Sequence, residues 1–76
     1  MKGRLPTIKA RELIQVLKKL GFYEIRQKGS HVCFKHTDGR FTLVPCHKGE
    51  DIGRGLLRQI LREIDLSLKE FSNYLK

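Results

Sequence analysis

The chain has 76 residues, 39% of them apolar, and its 16 Lys and Arg outnumber 8 Asp and Glu to give a net charge of +8. That length supports one domain, 1–76, burying about 60% of its unfolded surface, and leaves no room for a deep active-site cavity with its own lid. Such a charge favours phosphate-bearing partners, nucleic acid or less often an anionic membrane, and it is uneven: eleven basic and three acidic residues precede Glu50, with five of each from there on.

The first periodic segment is IKARELIQVLKKLGF. Leu13, Val16, Leu17 and Leu20 recur at helical spacing, which predicts a helix over 8–20. Thr7 is the candidate N-cap and Gly21 the residue that ends the helix. FYEIRQK, HVCFKH and FTLVP follow, short runs rich in aromatic and β-branched residues, which predict three strands. Asp38-Gly39 predicts a two-residue hairpin turn. That turn would set His36 opposite Phe41, Phe34 opposite Leu43, Val32 opposite Pro45 and His31 opposite Cys46. Val32, Phe34, Phe41 and Leu43 would then face the core. His31, Cys33, Lys35, Thr42, Val44 and Cys46 would point away, because strand side chains alternate.

After Gly49, Leu57, Ile60, Leu61 and Ile64 form a second helical stripe, extended by Ile52 and Leu56. Ser67-Leu68-Lys69-Glu70 reads as a capping box opening a short last helix with Leu68, Phe71 and Leu75. The expected fold is α+β, in the order α-β-β-β-α. A three-stranded antiparallel sheet carries both helices on its apolar face, with a small helix appended. This is the element order of double-stranded RNA-binding domains.

Chemistry on such a chain depends on its histidines. Imidazole exchanges protons near neutrality, and RNA carries its own nucleophile, the 2′-OH beside each phosphate. Cutting RNA therefore needs a base, positive charge and alignment, and neither a metal nor a covalent enzyme intermediate. Lys28-Gly29-Ser30-His31 supplies these compactly. His31 would be the base or acid and Lys28 the phosphate clamp. Gly29 admits close backbone approach, and the Ser30 hydroxyl could hold a phosphate oxygen. His47 and Lys48, at the end of the third strand, are a candidate second acid and phosphate contact, and Lys35 lies on the same sheet face as His31. The blander alternative makes His31 an exposed strand residue, and His36 on the core side is expected to be structural. His31, Cys33, Cys46 and His47 fall close in the expected register, but their spacing is not that of a structural zinc site. Arg54, Arg58 and Arg62 form either a phosphate-tracking ridge or a solvated face. No apolar run approaches the roughly 20 residues of a membrane span, and the N-terminus lacks a signal-peptide core. A cytoplasmic setting with reduced cysteines is expected.

Taken together, RELIQVLKKLGF, KGSHVCFKH, LVPCHKGEDIGRGLLRQILREID and LSLKEFSNYL resemble the HicA-type toxins, the mRNA interferases of bacterial toxin–antitoxin pairs. The G-S-H triplet, P-x-H and a G-x-L-x-x-I-L helix at matching distances carry the likeness. Leu56 stands where that family often has Thr. The resemblance implies a double-stranded RNA-binding-type fold and metal-independent cleavage of mRNA that arrests translation. It implies a catalytic role for His31, with no cofactor; Lys28, Gly29, Ser30, Lys35, His47 and Lys48 are the residues expected to contact the RNA phosphates. It also implies a HicB-type antitoxin that covers the histidine, with DNA engaged only through that complex. The alternative is an RNA-binding module that blocks translation by occupancy.

Overall fold

A computed structural model describes residues 7–46 and 51–75, so His47 and Lys48 lie outside the described residues. The elements are β1 (Ile8–Lys9), α1 (Ala10–Lys19), β2 (Tyr23–Lys28), β3 (His31–Lys35), β4 (Phe41–Pro45), β5 (Asp51–Ile52), α2 (Arg54–Glu63) and α3 (Leu68–Leu75). The predicted α+β order is present, and β2-β3-β4 form a three-stranded antiparallel sheet. Among the described residues no helix is long and apolar enough to cross a membrane.

The start of α1 differs from the expected one. Ile8 and Lys9 are extended and pair with Ile52 and Asp51, a two-strand ladder that the periodicity did not reveal. The N-cap is therefore Lys9, not Thr7, and the Glu12 carboxylate accepts its N–H at 2.9 Å. The ladder joins the start of α1 to the approach to α2, and the Lys9 Nζ–Asp51 Oδ1 pair at 3.0 Å lies over it.

Both long helices end in the same way. Gly21 has φ +100°, its N–H donates to the Lys18 carbonyl, and the Phe22 N–H reaches the Leu17 carbonyl. At the end of α2, Asp65 takes the left-handed conformation (φ 58°), with Asp65 N–H donating to Arg62 and Leu66 N–H to Leu61. Both are Schellman closures, which satisfy the last carbonyls of a helix. The predicted capping box at α3 is formed. Ser67 N–H donates to Glu70 Oε1 at 3.0 Å, and Glu70 N–H to Ser67 Oγ at 3.1 Å.

The β3–β4 register is shifted by one residue from the expected one. His31 pairs with Pro45, Val32 with Val44, Cys33 with Leu43, Phe34 with Thr42 and Lys35 with Phe41. The Asp38-Gly39 pair does not make a two-residue turn. Thr37, Asp38 and Gly39 form a three-residue loop closed by His36 N–H to the Arg40 carbonyl and Gly39 N–H to the His36 carbonyl. Gly39 has φ +100° at the last loop position, the left-handed site that such loops require. The Asp38 carboxylate accepts both the Arg40 N–H and Nε–H. Arg40 in turn lies over the Phe22 ring and donates from a terminal nitrogen to the Ile64 carbonyl at the end of α2.

A one-residue slip turns every side chain of a strand over. Thr42 and Val44, expected on the open face, are fully buried, whereas Phe41 and Leu43, expected in the core, are 45% and 41% exposed. The core is Leu13, Val16 and Leu17 of α1, Val32, Phe34 and Val44 of the sheet, Leu57, Ile60 and Ile64 from the α2 region, and Phe71 of α3. Its one buried polar residue among the described residues is satisfied: the Thr42 hydroxyl donates to Glu63 Oε1 at 2.7 Å.

Candidate functional site

The open face of the sheet follows from the pairing, since directly opposed residues point the same way. On β3 it carries His31, Cys33 and Lys35, as expected, and on β4 it carries Phe41, Leu43 and Pro45. On β2, Lys28 is opposite His31, Arg26 opposite Cys33 and Tyr23 opposite Lys35. A β-bulge at Ile25 separates Tyr23 and Glu24 from Arg26. It turns Glu24 toward the helix side, opposite Phe34. All nine positions are cationic, imidazole, thiol, phenol or apolar, and none is acidic.

His31 is exposed at the edge of this face. Gly29-Ser30 make the two-residue turn that joins it to Lys28, and Gly29 takes φ +61°. A Cβ at Gly29 would meet nothing within 4 Å, so conformation rather than space favours glycine there. The Ser30 carbonyl is taken by the Cys46 N–H at 2.6 Å, which ties the turn to the end of β4. Gln27 Nε2 donates to the Gly29 carbonyl at 3.1 Å. The KGSH segment is thus held at both ends while the imidazole and the Lys28 amine remain exposed.

Two recesses meet at His31. One, of about 530 Å³, is bounded by Arg26, Lys28, His31, Cys33, Phe41 and Leu43. The other, of about 230 Å³, shares His31, Phe41 and Leu43 and runs on toward α2. Lys35 stands four residues along β3 from His31, about 13 Å away on an extended strand, at the far end of the cationic face. The sequence reading brought together His31, Lys28, Gly29, Ser30 and Lys35 on this surface. It missed Arg26, Phe41 and Leu43. A three-residue hairpin loop with glycine last was the signal that would have placed the two apolar residues here.

The remaining candidates separate cleanly. His36 is structural, as expected. Its Nε2–H donates to the Leu20 carbonyl at 3.1 Å, its Nδ1 accepts the Asp38 N–H at 3.2 Å, and its ring meets Phe22 edge-on at 5.1 Å. Cys46 is corrected to the helix side. It packs on the core, and burial, followed by the charge of Glu24, pushes its thiol pKa up. His31 and Cys33 therefore lie on the opposite sheet face from Cys46, so these three described residues do not share one site. Arg54, Arg58 and Arg62 also move away. At about 100° per residue, their stripe lies on the flank of α2 opposite Leu56, Gln59 and Glu63, the residues that border the smaller recess.

A basic sheet face with an exposed histidine beside a tight Gly-Ser turn is the arrangement the motif anticipated. The model of the HicA toxin of bacterial toxin–antitoxin systems matches residues 10–66. This chain belongs to the HicA toxin family. The match runs from the first residue of α1 to just past α2, so it contains the whole three-stranded sheet and the KGSH turn. Comparison with curated proteins gives no match. As a HicA toxin, the chain is the toxin half of a toxin–antitoxin pair.

Proposed function

We propose that this HicA toxin is a metal-independent endoribonuclease that cuts mRNA with His31. The observation carrying this reading is the placement of an exposed imidazole directly opposite Lys28, on a sheet face that also presents Arg26 and Lys35 and no carboxylate. The RNA backbone lies along the cationic recess. His31 removes the 2′-OH proton, the 2′-oxygen attacks the adjacent phosphorus, and the bond to the 5′-oxygen breaks. The products are a 2′,3′-cyclic phosphate and a 5′-hydroxyl, the leaving oxygen taking a proton from a general acid. Lys28 and Arg26 neutralise the charge that builds on the phosphate, the role in which cations assist phosphoryl transfer most. His47 and Lys48 stay in the proposal as a candidate acid and phosphate contact. A HicB-type antitoxin is the expected protein partner, covering this face and keeping the histidine from RNA, with any DNA contact made through that complex.

The competing reading, translation block by occupancy, shares the charge and the fold and differs only at His31. Wild-type protein and His31→Ala are incubated with a long RNA in excess EDTA, with binding followed in parallel. A general acid–base group contributes about 10²–10⁴-fold, so His31→Ala should lose at least that much cleavage while binding changes little. If neither protein cuts and both bind equally, occupancy is the function and His31 is a strand residue.

A further inference from the structure

The smaller recess beside His31 has a composition that a phosphate site would not have. One wall is Leu43 and Pro45 of β4; the other is Leu56 and Ile60 of α2. Gln59 and Glu63 also border it and are the polar groups it offers besides His31. Glu63 Oε1 already accepts from Thr42, and Glu63 Oε2 accepts from Gln59 Nε2 at 3.3 Å. A carboxylate has about four acceptor positions, so two remain, and the Gln59 carbonyl adds another. Negative charge and spare acceptors repel a phosphate and attract N–H donors. At about 230 Å³ the recess is smaller than the usual drug-sized pocket, and apolar walls with acceptors nearby suit one flat aromatic ring carrying an amino group.

The two recesses share His31, Phe41 and Leu43. A strand whose phosphates follow Arg26 and Lys28 therefore has its sugar at His31 and one base able to turn over Phe41 into the smaller recess. This requires an unpaired, unstacked base, so it selects single-stranded RNA. Building on the cleavage reading above, we propose that the groove between β4 and α2 is a base-selecting subsite. It takes the nucleobase next to the scissile phosphate, and Glu63 and Gln59 favour amino-bearing bases over uracil. Uracil has no amino group: its single N3–H lies between two carbonyl oxygens, so engaging Glu63 through it brings a carbonyl against a second acceptor.

Two variants isolate the subsite. Glu63→Gln keeps an oxygen for the Thr42 hydroxyl but replaces one acceptor with a donor. Leu56→Trp, at a position 36% exposed, fills the groove without entering the core. Wild type and both variants are given a random-sequence RNA pool, and the cut ends are sequenced. In parallel, the same substitutions in the His31→Ala background are titrated with single-stranded A8, C8 and U8 RNA. One good base contact discriminates roughly fivefold to a hundredfold. Wild type should deplete uracil at one position beside the cut by at least about fivefold, and the His31→Ala protein should bind U8 correspondingly more weakly than A8 or C8. Glu63→Gln should level or reverse both preferences, and Leu56→Trp should abolish them. Cleavage with no base preference, or with a preference that both variants leave unchanged, would overturn the subsite and leave the nuclease reading standing. That is also the result expected if a partner protein's side chain is the natural occupant. A Glu63-dependent preference in binding, with no cleavage by wild type, would uphold the subsite and remove the nuclease. Absence of binding to all three RNAs would remove both.

Discussion

Removing the Glu63 carboxylate should cost more than removing the buried hydroxyl it serves. Thr42 is fully buried and its hydroxyl donates to Glu63 Oε1 at 2.7 Å. A hydrogen bond to a charged group contributes about 1.5–3 kcal/mol, and a buried donor left without a partner costs about 1–3 kcal/mol. Glu63→Ala creates that orphan. Thr42→Val does not, because the apolar isostere has nothing to satisfy and the exposed carboxylate returns to water. Glu63 also sits in the last turn of α2, where negative charge is unfavourable by about 0.3–1 kcal/mol. Relief of that repulsion lowers the single-mutant cost but cancels in a double-mutant cycle. Urea unfolding of the two single variants and the double variant should therefore show Glu63→Ala costing about 1–2 kcal/mol alone and close to zero on the Thr42→Val background. In a domain of this size that is a difference of roughly 4–16 °C in Tm. An equal cost in both backgrounds would refute the assignment of Thr42 as a buried polar residue dependent on Glu63.

Asp65→Gly should raise stability by about 1 kcal/mol in the same assay, since it relieves a left-handed non-glycine residue and takes an anion from a helix C-terminus. Gly21→Ala should have the opposite sign and cost at least about 1–2 kcal/mol, because φ is +100° and the new Cβ would lie 3.0 Å from His36 Nε2. Arg40→Met keeps an apolar stem beside Phe22 but loses the bonds to Asp38 and the Ile64 carbonyl. It should cost about 1–2 kcal/mol and raise amide exchange at the hairpin tip and the α2 terminus together. The Arg40 N–H, with further help from its guanidinium, holds the Asp38 carboxyl below its ordinary value, while desolvation opposes the shift. The Ser67 N–H and hydroxyl lower Glu70 in the same way. With folded values below unfolded ones, both carboxylates stabilise above about pH 4 and the contribution is lost as pH falls through the lowered values. Thermal melts from pH 5 to pH 2 should show this loss, with a shallower slope for Asp38→Asn.

The helices were legible because their apolar residues recur at one spacing and their ends carry local chemistry. Gly21 and the Ser67–Glu70 box are cases where a few neighbouring residues decide the outcome. The hairpin was less so. Asp38-Gly39 fits a two-residue turn equally well, and the choice fell to Arg40, whose contacts with Phe22 and Ile64 lie far away in sequence. That choice put Phe41 and Leu43 beside His31, which no local pattern announces. The β1–β5 ladder was illegible for the same reason: two residues at each end carry no period. His31, Lys28 and Lys35 could be placed on one face because they depend only on alternation along β3 and on the tight turn before it. Glu63 and Gln59 reach the recess through the packing of α2 against β4, so sequence alone could not place them.

The bulge at Ile25 has an electrostatic meaning. Alternation alone, continued back from Lys28 and Arg26, would carry Glu24 onto the His31 face opposite Lys35 and hide Tyr23. One supernumerary residue reverses the parity of everything before it, so the carboxylate is sent to the far side and a phenol takes its place. The charge of that face thus depends on one residue being left out of the ladder. Were Ile25 drawn into the ladder opposite Phe34, with no residue added or removed, that face would carry three cations and an anion instead of three cations alone. To a polyanion approaching from solution, it would be a different protein with the same composition.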